Sequence, residues 1–360
     1  MSKVSDVRRI PRQGITIQSM TTTKTADVEA TVMQINSLAK MGCDIIRVAV
    51  ADIESADAIG KIKERITIPL VADIHFDHRL ALRSIEAGAD KIRINPGNIG
   101  GNDNVKAVAS ACNQRNIPIR IGVNGGSLEK ELLKKHGGVT SEAMVESVMG
   151  HVRLLNRYDF DNIWLSAKAS SVPLTVKTYR LLHEQTDYPL HLGITEAGTE
   201  YNGIIKSSIG IGALLLDGIG DTIRVSLTAE PEKEIEAARA ILEALRLRSG
   251  IDIISCPTCG RCSIDVIGIA HEVEARLARM EERPSAALTV AVMGCAVNGP
   301  GEAKQADFGI AGIAERSGGS GSFAPGEGVI FAKGEIIKKT TMDRLVDELF
   351  KVITASATLV

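Results

Sequence analysis

Three cysteines stand at regular spacing in the segment SCPTCGRC, as Cys256, Cys259 and Cys262. A fourth, Cys295, follows about 36 residues after Cys259 in the segment MGCAVNGPGEA. Thiolates at such spacing bind zinc or an iron–sulfur cluster, and the spacing alone leaves both open. The glycine- and proline-rich flanks favour a cluster, because they let backbone N–H groups approach sulfide and tune its reduction potential. If Cys256, Cys259 and Cys295 are three of four ligands, the fourth is either Cys262 or an oxygen ligand.

Four predicted strands each carry one arginine: Arg47, Arg93, Arg120 and Arg224. A parallel strand buried on both faces is normally almost wholly apolar, so an arginine within it needs a partner. For any single arginine, an ion pair with a nearby acid is an equally good explanation. Four of them on strands that converge at one edge favour a ligand with more than one phosphate, because a guanidinium group matches phosphate oxygens bidentately.

Other polar residues stand where the predicted strands end, which is where the active sites of barrel enzymes are assembled. An isolated Asn or Ser in such a place is more often a turn former, so Lys168 and Glu196 are the stronger candidates. His75 and His78 lack a third ligand, which argues against a metal site there. The full set is Asp73, His75, Asn95, Asn124, Lys168, Thr195, Glu196 and Ser226.

Short β-branched runs alternate eight times with helical stretches over the first two-thirds of the chain. This alternation over about 230 residues predicts an α/β fold, a parallel (β/α)8 TIM barrel, which typically takes ~250 residues. Periodicity alone does not exclude a doubly wound open sheet. The predicted strands are Thr16 to Met20, Asp44 to Val50, Pro69 to Ile74, Lys91 to Asn95, Ile117 to Val123, Asn162 to Ala167, Pro189 to Thr195 and Thr222 to Leu227.

The pattern changes after Arg248, where the alternation ends and the cysteine-rich segment begins. We therefore expect a barrel domain at residues 1–248, a small α+β metal-binding domain at 249–353 and a tail at 354–360. Predicted elements of the second domain are helices at Val266 to Met280 and Met342 to Val352, and strands at Leu288 to Met293 and Val329 to Ala332.

Composition excludes several classes of protein. The 360 residues are 44% hydrophobic and 24% charged, as in ordinary globular chains. A net charge of -2 and only 3% aromatic residues argue against nucleic acid and membrane partners. No secretory signal, membrane span, P-loop or complete dinucleotide fingerprint stands in the sequence, so we expect a soluble cytoplasmic protein without ATP or nicotinamide chemistry.

Seven sequence segments together resemble the bacterial hydroxymethylbutenyl diphosphate synthases of the non-mevalonate isoprenoid pathway. The resemblance runs over about residues 12 to 350, and the last two segments are its most specific part. The segments are VADIHFD, RINPGNIG, IPIRIGVNGGSLEK, HLGITEAG, GIGDTIRVSL, CPTCGR and GCAVNGPGEA.

That resemblance implies one 4Fe-4S cluster per chain, with Cys262 outside the ligand set. Its ligands would be Cys256, Cys259, Cys295 and Glu302. The resemblance also implies a diphosphate site, in which four basic residues bind the phosphates, three polar residues add hydrogen bonds and two carboxyl groups are candidates for proton delivery. In that order, these residues are Arg47, Arg93, Arg120 and Lys168; Asn124, Thr195 and Ser226; and Asp73 and Glu196.

The implied reaction is an iron–sulfur oxidoreductase reaction of the EC 1.17.7 type. It opens methylerythritol cyclodiphosphate and removes a hydroxyl group by two-electron reduction. A flavodoxin or a ferredoxin would deliver the electrons one at a time. The family also implies a homodimer in which the cluster domain of one chain caps the barrel of the other, so that both chains contribute to each active site.

Two other readings compete with this one. The RINPG and GVNGG segments also look like those of pteroate-synthase-type barrel transferases, in which case the thiols would hold structural zinc. A non-catalytic iron–sulfur carrier or scaffold would explain the thiols, but it has no use for several converging arginines and Glu196.

Overall fold

A computed structural model describes residues 14–260, 262, 264–280, 288–295, 301, 303–312 and 327–357. Two compact units divide the chain, at residues 1–245 and 246–360, close to the predicted boundary between 248 and 249. Glu302 and most of the glycine-rich segment at 318–328 lie outside the described residues. None of the described helices is both long and apolar enough to cross a membrane.

Eight parallel strands form the first unit, in the order β6-β5-β4-β3-β2-β1-β8-β7. A parallel bridge between Leu165 and Leu190 closes the ring, and the N–H of Leu165 donates to the carbonyl of Pro189 at 2.9 Å. The predicted TIM barrel is therefore confirmed. Its strands are β1 Thr16–Met20, β2 Ile45–Ala49, β3 Leu70–Asp73, β4 Lys91–Ile94, β5 Ile119–Asn124, β6 Ile163–Lys168, β7 His191–Leu192 and β8 Thr222–Ile223.

Helices follow the strands, and each of the described ones except Lys130–His136 contributes buried residues to the barrel unit. Asp27, Asp52 and Asp77 each stand just before a helix and accept a hydrogen bond from a backbone N–H of its first turn, which fixes where the helix begins. The helices are α1 Val28–Lys40, α2 Ile53–Lys63, α3 His78–Glu86, α4 Asn102–Arg115, α5 Lys130–His136, α6 Ser141–Asn156, α7 Val172–Gln185, α8 Glu200–Leu216 and α9 Pro231–Ala244.

The last two barrel strands are much shorter than predicted. Beyond β8, the carboxylate of Glu234 accepts hydrogen bonds from the N–H of Leu227 at 3.1 Å and from Arg224 at 3.3 Å. The side chain of Glu234 thus binds the N–H of Leu227, which a longer β8 would use to pair with a neighbouring strand. Beyond β7, Gly193 has a φ of 156°, and a Cβ there would lie 2.5 Å from the carbonyl oxygen of Arg224. Only glycine permits this close approach at the end of the barrel.

The second unit contains a five-stranded sheet in the order β13-β12-β11-β10-β9. Strands β9, β10 and β11 are parallel, whereas β12 and β13 are antiparallel neighbours. Apolar residues including Val290, Ile310 and Leu349 form its core. The elements are β9 Ile251–Ser255, α10 Val266–Ala278, β10 Leu288–Met293, β11 Phe308–Gly312, β12 Glu327–Ala332, β13 Glu335–Thr341 and α11 Leu345–Ala357.

Helix α11 continues to Ala357, so the first residues of the predicted tail at 354–360 are helical. Two contacts account for this. Ile353 is buried in the core of the unit, and the hydroxyl of Thr354 donates to the carbonyl of Phe350 at 2.8 Å. Strands β9, β11 and β13 were not predicted, and the side chains of β13 are almost all exposed, so that strand has no alternating pattern to reveal it.

Candidate active site at the barrel mouth and candidate metal centre

Five basic side chains lie close to one another on the barrel strands or just after them. Burial is nearly complete for three of them, at 8% exposed for Arg93, 2% for Arg120 and 8% for Lys168. Lys168 lies close enough to all four arginines for their charges to act on its pKa. The set is Arg47 on β2, Arg93 on β4, Arg120 on β5, Lys168 on β6 and Arg224 after β8.

Asp73, on β3, is one of two carboxylates that face this group. Its oxygens lie 2.9 Å from Nη1 of Arg93 and 3.5 Å from Nε of Arg47. Burial alone would raise the pKa of Asp73, but the charge of Arg47, a hydrogen bond from His75 and the charge of Arg93 together hold that pKa well below its usual range. Asp73 is therefore ionised at neutral pH, which makes it a poor proton donor.

Glu234, on α9, is the second carboxylate. Besides Arg224 and Leu227, it accepts a hydrogen bond from the hydroxyl of Ser19 at 3.1 Å. Neutral acceptors also bind these cations: the side-chain oxygen of Gln18 accepts from Nη1 of Arg120 at 2.8 Å, the carbonyl of Gly122 accepts from Nη2 of Arg93 at 3.5 Å, and Sδ of Met20 accepts from Nη2 of Arg47 at 3.0 Å. Two buried carboxylates therefore face five basic side chains, so basic groups outnumber acidic ones among the buried, described residues of the barrel mouth.

This excess affects the basic groups themselves. Burial, together with the charges of neighbouring arginines, lowers the pKa of both Arg120 and Lys168 well below its ordinary value. Burial likewise lowers the pKa of Arg47 to about 10. Among the described residues, the Nε atoms of Arg93, Arg120 and Arg224 are buried without a hydrogen-bond partner. Buried donors with uncompensated charge are suited to an anion that offers several oxygen atoms.

Two glycines make room for these side chains. A Cβ at Gly122 would lie 2.4 Å from Nε of Arg93, and one at Gly193 would lie 2.6 Å from Nζ of Lys168. Any larger residue at either position would push a cation away from the barrel mouth. Sequence reasoning did not single out these glycines, because only the folded backbone shows that a cation lies against each of them.

The remaining predicted site residues lie at the same edge of the barrel. Asn124 ends β5, and Thr195 follows β7, where its N–H donates to the carbonyl of Ala169 at 3.3 Å. Ser226 follows β8 and is half-buried. Within the described ranges, no hydrogen bond joins the side chains of Asn124, Thr195 or Ser226 to the five cations. Their assignment as ligands of the diphosphate therefore stays a prediction.

Glu196 is exposed and has a φ of 51°, in the left-handed region that non-glycine residues seldom adopt. Strained backbone of this kind concentrates at functional sites, where surrounding structure maintains it. Asn95, by contrast, has a local role, because its side-chain oxygen accepts from the N–H of Gly97 at 3.1 Å and shapes the turn after β4.

Sequence reasoning missed three polar residues of this region. Gln18 and Glu234 bind the cations directly, and His191 on β7 is 1% exposed, with an Nε2 that has no hydrogen-bond partner among the described residues. Burial, then the charge of Lys168, lowers the pKa of His191 well below its usual value, so its ring is neutral. A signal existed for His191, because a histidine within a short barrel strand is as unusual as an arginine there.

Four of the six cysteines lie in the second unit, near the C-terminal edge of its parallel strands. Ser255 of β9 is in register with Val292 of β10, so Cys256 and Cys295 leave the sheet at the same edge. The N–H of Gly294 donates to Sγ of Cys256 at 3.1 Å, and Cys295 is buried. Cys259 is exposed on the same loop as Cys256.

This donor set fits an iron–sulfur group in its chemistry. Soft thiolates beside a backbone N–H that points at sulfur are what such a group requires. No set of three or more His, Cys, Asp or Glu side chains in the described part of the chain has the arrangement of a complete metal site. The predicted oxygen ligand, Glu302, lies outside that part, so the complete ligand set is a proposal.

Comparison with known proteins covers both units. The family description "GcpE TIM-barrel domain" matches residues 3–239, and "GcpE protein C-terminal domain" matches residues 252–355. A 4-hydroxy-3-methylbut-2-en-1-yl diphosphate synthase (flavodoxin) of Ruminiclostridium cellulolyticum is 54% identical over 353 residues, which cover 98% of this chain and 96% of that protein. One from Caldanaerobacter subterraneus is 58% identical over 340 residues, covering 94% and 92%.

Among solved structures, a dihydropteroate synthase of Yersinia pestis superposes with a TM-score of 0.47 and 13% identity, over 66% of this chain and 94% of that one. A likeness this distant carries no argument about function, so the transferase alternative has no further support. Two matched domains and relatives more than half identical over nearly the whole length agree with one another. The chain therefore belongs to the GcpE family.

Proposed function

We propose that this chain catalyses the reductive ring opening and dehydroxylation of 2-C-methyl-D-erythritol 2,4-cyclodiphosphate to 4-hydroxy-3-methylbut-2-enyl diphosphate. It is an oxidoreductase of isoprenoid precursor biosynthesis, like the relatives that carry the synthase name. The observation that carries the proposal is the cationic barrel mouth, in which five basic side chains face two carboxylates. A cyclic diphosphate supplies the negative oxygens that this mouth lacks.

The reaction consumes two electrons and two protons and releases one water. When the bond between carbon and the ring oxygen breaks, negative charge accumulates on the released phosphate oxygen. Preorganised cations stabilise developing charge of this kind without reorganising during the reaction. Substrate-binding residues on rigid strands, namely Arg47, Arg93, Arg120 and Lys168, are therefore proposed both to bind the diphosphate and to stabilise its leaving oxygen, with hydrogen bonds added by Asn124, Thr195 and Ser226.

Glu196 is the better of the two predicted proton donors. Asp73 is ionised and serves chiefly to orient Arg47 and Arg93, whereas Glu196 stands exposed at the barrel mouth on strained backbone. A general acid near the leaving hydroxyl group would let that group depart as water.

Replacing Glu196 by Gln is expected to lower kcat about 10²-fold while KM changes little, because general acid catalysis is lost and the cations are untouched. Steady-state kinetics measures both constants. As a matched control, Glu200→Gln changes an exposed carboxylate nearby and should leave both constants unaltered. Asp73→Asn should instead raise KM, since Arg47 and Arg93 lose the carboxylate that orients them. Unchanged kcat in Glu196→Gln would remove Glu196 from the mechanism.

We propose one 4Fe-4S cluster per chain, held by Cys256, Cys259, Cys295 and Glu302. When bound, such a cluster passes electrons singly from a flavodoxin or ferredoxin to the substrate. Support comes from the thiols that leave one sheet edge and from the flavodoxin in the names of the relatives. A cytoplasmic location is proposed with it, because free thiols of this kind require a reducing compartment.

Anaerobic purification followed by iron, sulfide and zinc analysis tests the metal. We expect about four iron and four sulfide per chain and a brown chromophore whose reduced spectrum changes on adding the cyclodiphosphate. One zinc per chain would assign the thiols a structural role. A cluster indifferent to the cyclodiphosphate would make the second unit a carrier, and either result would overturn the proposal.

We also propose a homodimer in which each active site uses the barrel of one chain and the cluster domain of the other. Mixing an Arg120→Ala chain with a Cys295→Ser chain should then restore part of the activity that each variant lacks alone, because one of the two sites in a mixed dimer is intact. Activity is measured after mixed dimers are confirmed by two different affinity tags. Confirmed mixed dimers without any recovery would contradict the shared site.

A further inference from the structure

Cys262 is the thiol that the proposed ligand set leaves over, and its surroundings indicate a separate role. Its Sγ would lie 2.6 Å from a Cβ placed on Gly294, and Sγ of Cys256 would lie 3.4 Å from the same point. The two sulfur atoms are therefore no more than about 6 Å apart. Cys262 thus lies beside a proposed cluster ligand without being one.

Local bonding keeps the two thiols in place. The N–H of Gly294 donates to Sγ of Cys256 at 3.1 Å, and Sγ of Cys262 donates to the carbonyl of Ile264 at 3.1 Å. Cys262 also packs against the apolar core of the second unit, while its N–H donates to the carbonyl of Cys259 at 2.9 Å in a tight turn. Neither Cys256 nor Cys262 is fully buried, so small oxidants reach both.

The two thiols of the barrel are poor candidates for the same chemistry. Cys43 and Cys112 are buried, and burial raises the pKa of Cys112 to about 12, so its reactive thiolate form is negligible at neutral pH. In the second unit, Cys259 is exposed, whereas Cys256 and Cys262 are both partly buried. Cys256 and Cys262 lie against the same glycine, Gly294, which places their sulfur atoms within about 6 Å of each other.

We propose that Cys262 is a resolving thiol, which forms a reversible disulfide with Cys256 when an oxidant removes the cluster. This inference rests on the proposed function only in taking Cys256 as a cluster ligand. Hydrogen peroxide would oxidise the freed thiolate of Cys256 to a sulfenic acid and release water. The thiolate of Cys262 would attack that sulfur, forming the S–S bond and releasing a second water. The disulfide keeps Cys256 from further, irreversible oxidation to a sulfinic acid, and a dithiol reductant restores both thiols.

The test maps the disulfide by mass spectrometry in full-length protein treated with hydrogen peroxide, after alkylation of the remaining thiols. Trypsin cuts after Arg248, Arg261 and Arg276, so Cys256 and Cys262 fall in separate peptides, 249–261 and 262–276. We expect these two peptides to be linked through Cys256, with fragmentation before Pro257 distinguishing Cys256 from Cys259. A link through Cys259, or alkylated Cys262 beside oxidised Cys256, would overturn the proposal.

A second measurement follows the recovery of Cys256, the proposed cluster ligand, as a free thiol. After peroxide and then dithiothreitol, the fraction of Cys256 that returns as free thiol should fall at least about threefold in Cys262→Ser, because its sulfenic acid is no longer trapped. Cys112→Ser, a buried thiol in the barrel, is the matched control and should recover like the unaltered protein. Equal recovery in Cys262→Ser would contradict a resolving role. Neither measurement depends on enzyme turnover. If the disulfide does not form, the proposed reaction is unaffected; if the enzyme does not turn over the cyclodiphosphate, the disulfide can still be measured.

Discussion

Replacing Arg120 by Met is expected to make the ligand-free protein more stable and the enzyme nearly inactive. Arg120 is 2% exposed, and its burial among Arg47 and Arg93 disfavours its charged form. Exchanging uncompensated buried charge for apolar volume stabilises proteins by about 1–4 kcal/mol, and the gain here is smaller because Gln18 loses its hydrogen bond. The same substitution removes a cation that stabilises the leaving oxygen, so kcat/KM should fall about 10²–10³-fold.

Thermal denaturation and steady-state kinetics measure the two effects on the same sample. Arg180→Met is the matched control, because Arg180 is an exposed arginine whose ion pair with Asp217 lies on the barrel surface. That control should change neither Tm nor kcat/KM appreciably. A lower Tm combined with unaltered activity in Arg120→Met would show that Arg120 is a structural residue and would contradict the proposed diphosphate site.

Affinity for the diphosphate is expected to fall as pH rises, while the stability of the ligand-free protein rises. The cause is Lys168, whose pKa is held well below its ordinary value by burial and by the neighbouring arginines. In the unfolded chain that pKa returns to about 10.4. Between the two values the unfolded state binds one more proton, so the free energy of unfolding increases with pH by up to about 1.4 kcal/mol per unit. A bound diphosphate favours the ammonium form, so binding takes up a proton and weakens as pH rises.

Calorimetric titration in buffers of different ionisation enthalpy measures this proton uptake, and denaturation at several pH values measures the stability slope. Lys168→Met should reduce both the uptake and the slope. Lys91→Met provides the control. Lys91 is a buried lysine at the first position of β4, and its ammonium group lies over the ring of Trp164. Burial lowers its pKa to about 7. That variant should lose only its own share of the stability slope. Binding without proton uptake in the unaltered protein would refute the role of Lys168.

The sequence predicted the barrel because its strands are runs of β-branched residues between helices, and that pattern survives without tertiary information. It predicted the cations for a related reason: an arginine in such a run, as in IIRVAV or PIRIGV, conflicts with burial unless it has a function. The glycines beside the cations carry no such conflict. Only the folded backbone shows that Gly122 lies against Arg93.

The partners of the cations could not be predicted for the same reason. Glu234 stands in the charged segment PEKEIEAA, where every acidic residue looks like part of a solvated helix face. It reaches Ser19 and Arg224 only because α9 packs against the start of the barrel. The early end of β8 follows from the same contacts, since the side chain of Glu234 takes the place of a strand partner at Leu227. Long-range contacts such as these leave no local pattern.

The reductive ring opening is tested most directly by incubating the anaerobically purified enzyme with methylerythritol cyclodiphosphate and a reduced flavodoxin. Phosphorus NMR follows the reaction. Both ring phosphorus signals should disappear, those of a linear diphosphate should replace them, and two electrons should be consumed per product formed. An unchanged cyclodiphosphate, with the cluster intact and flavodoxin still reduced, would show that the cationic mouth serves another anion and would contradict the reaction proposed here.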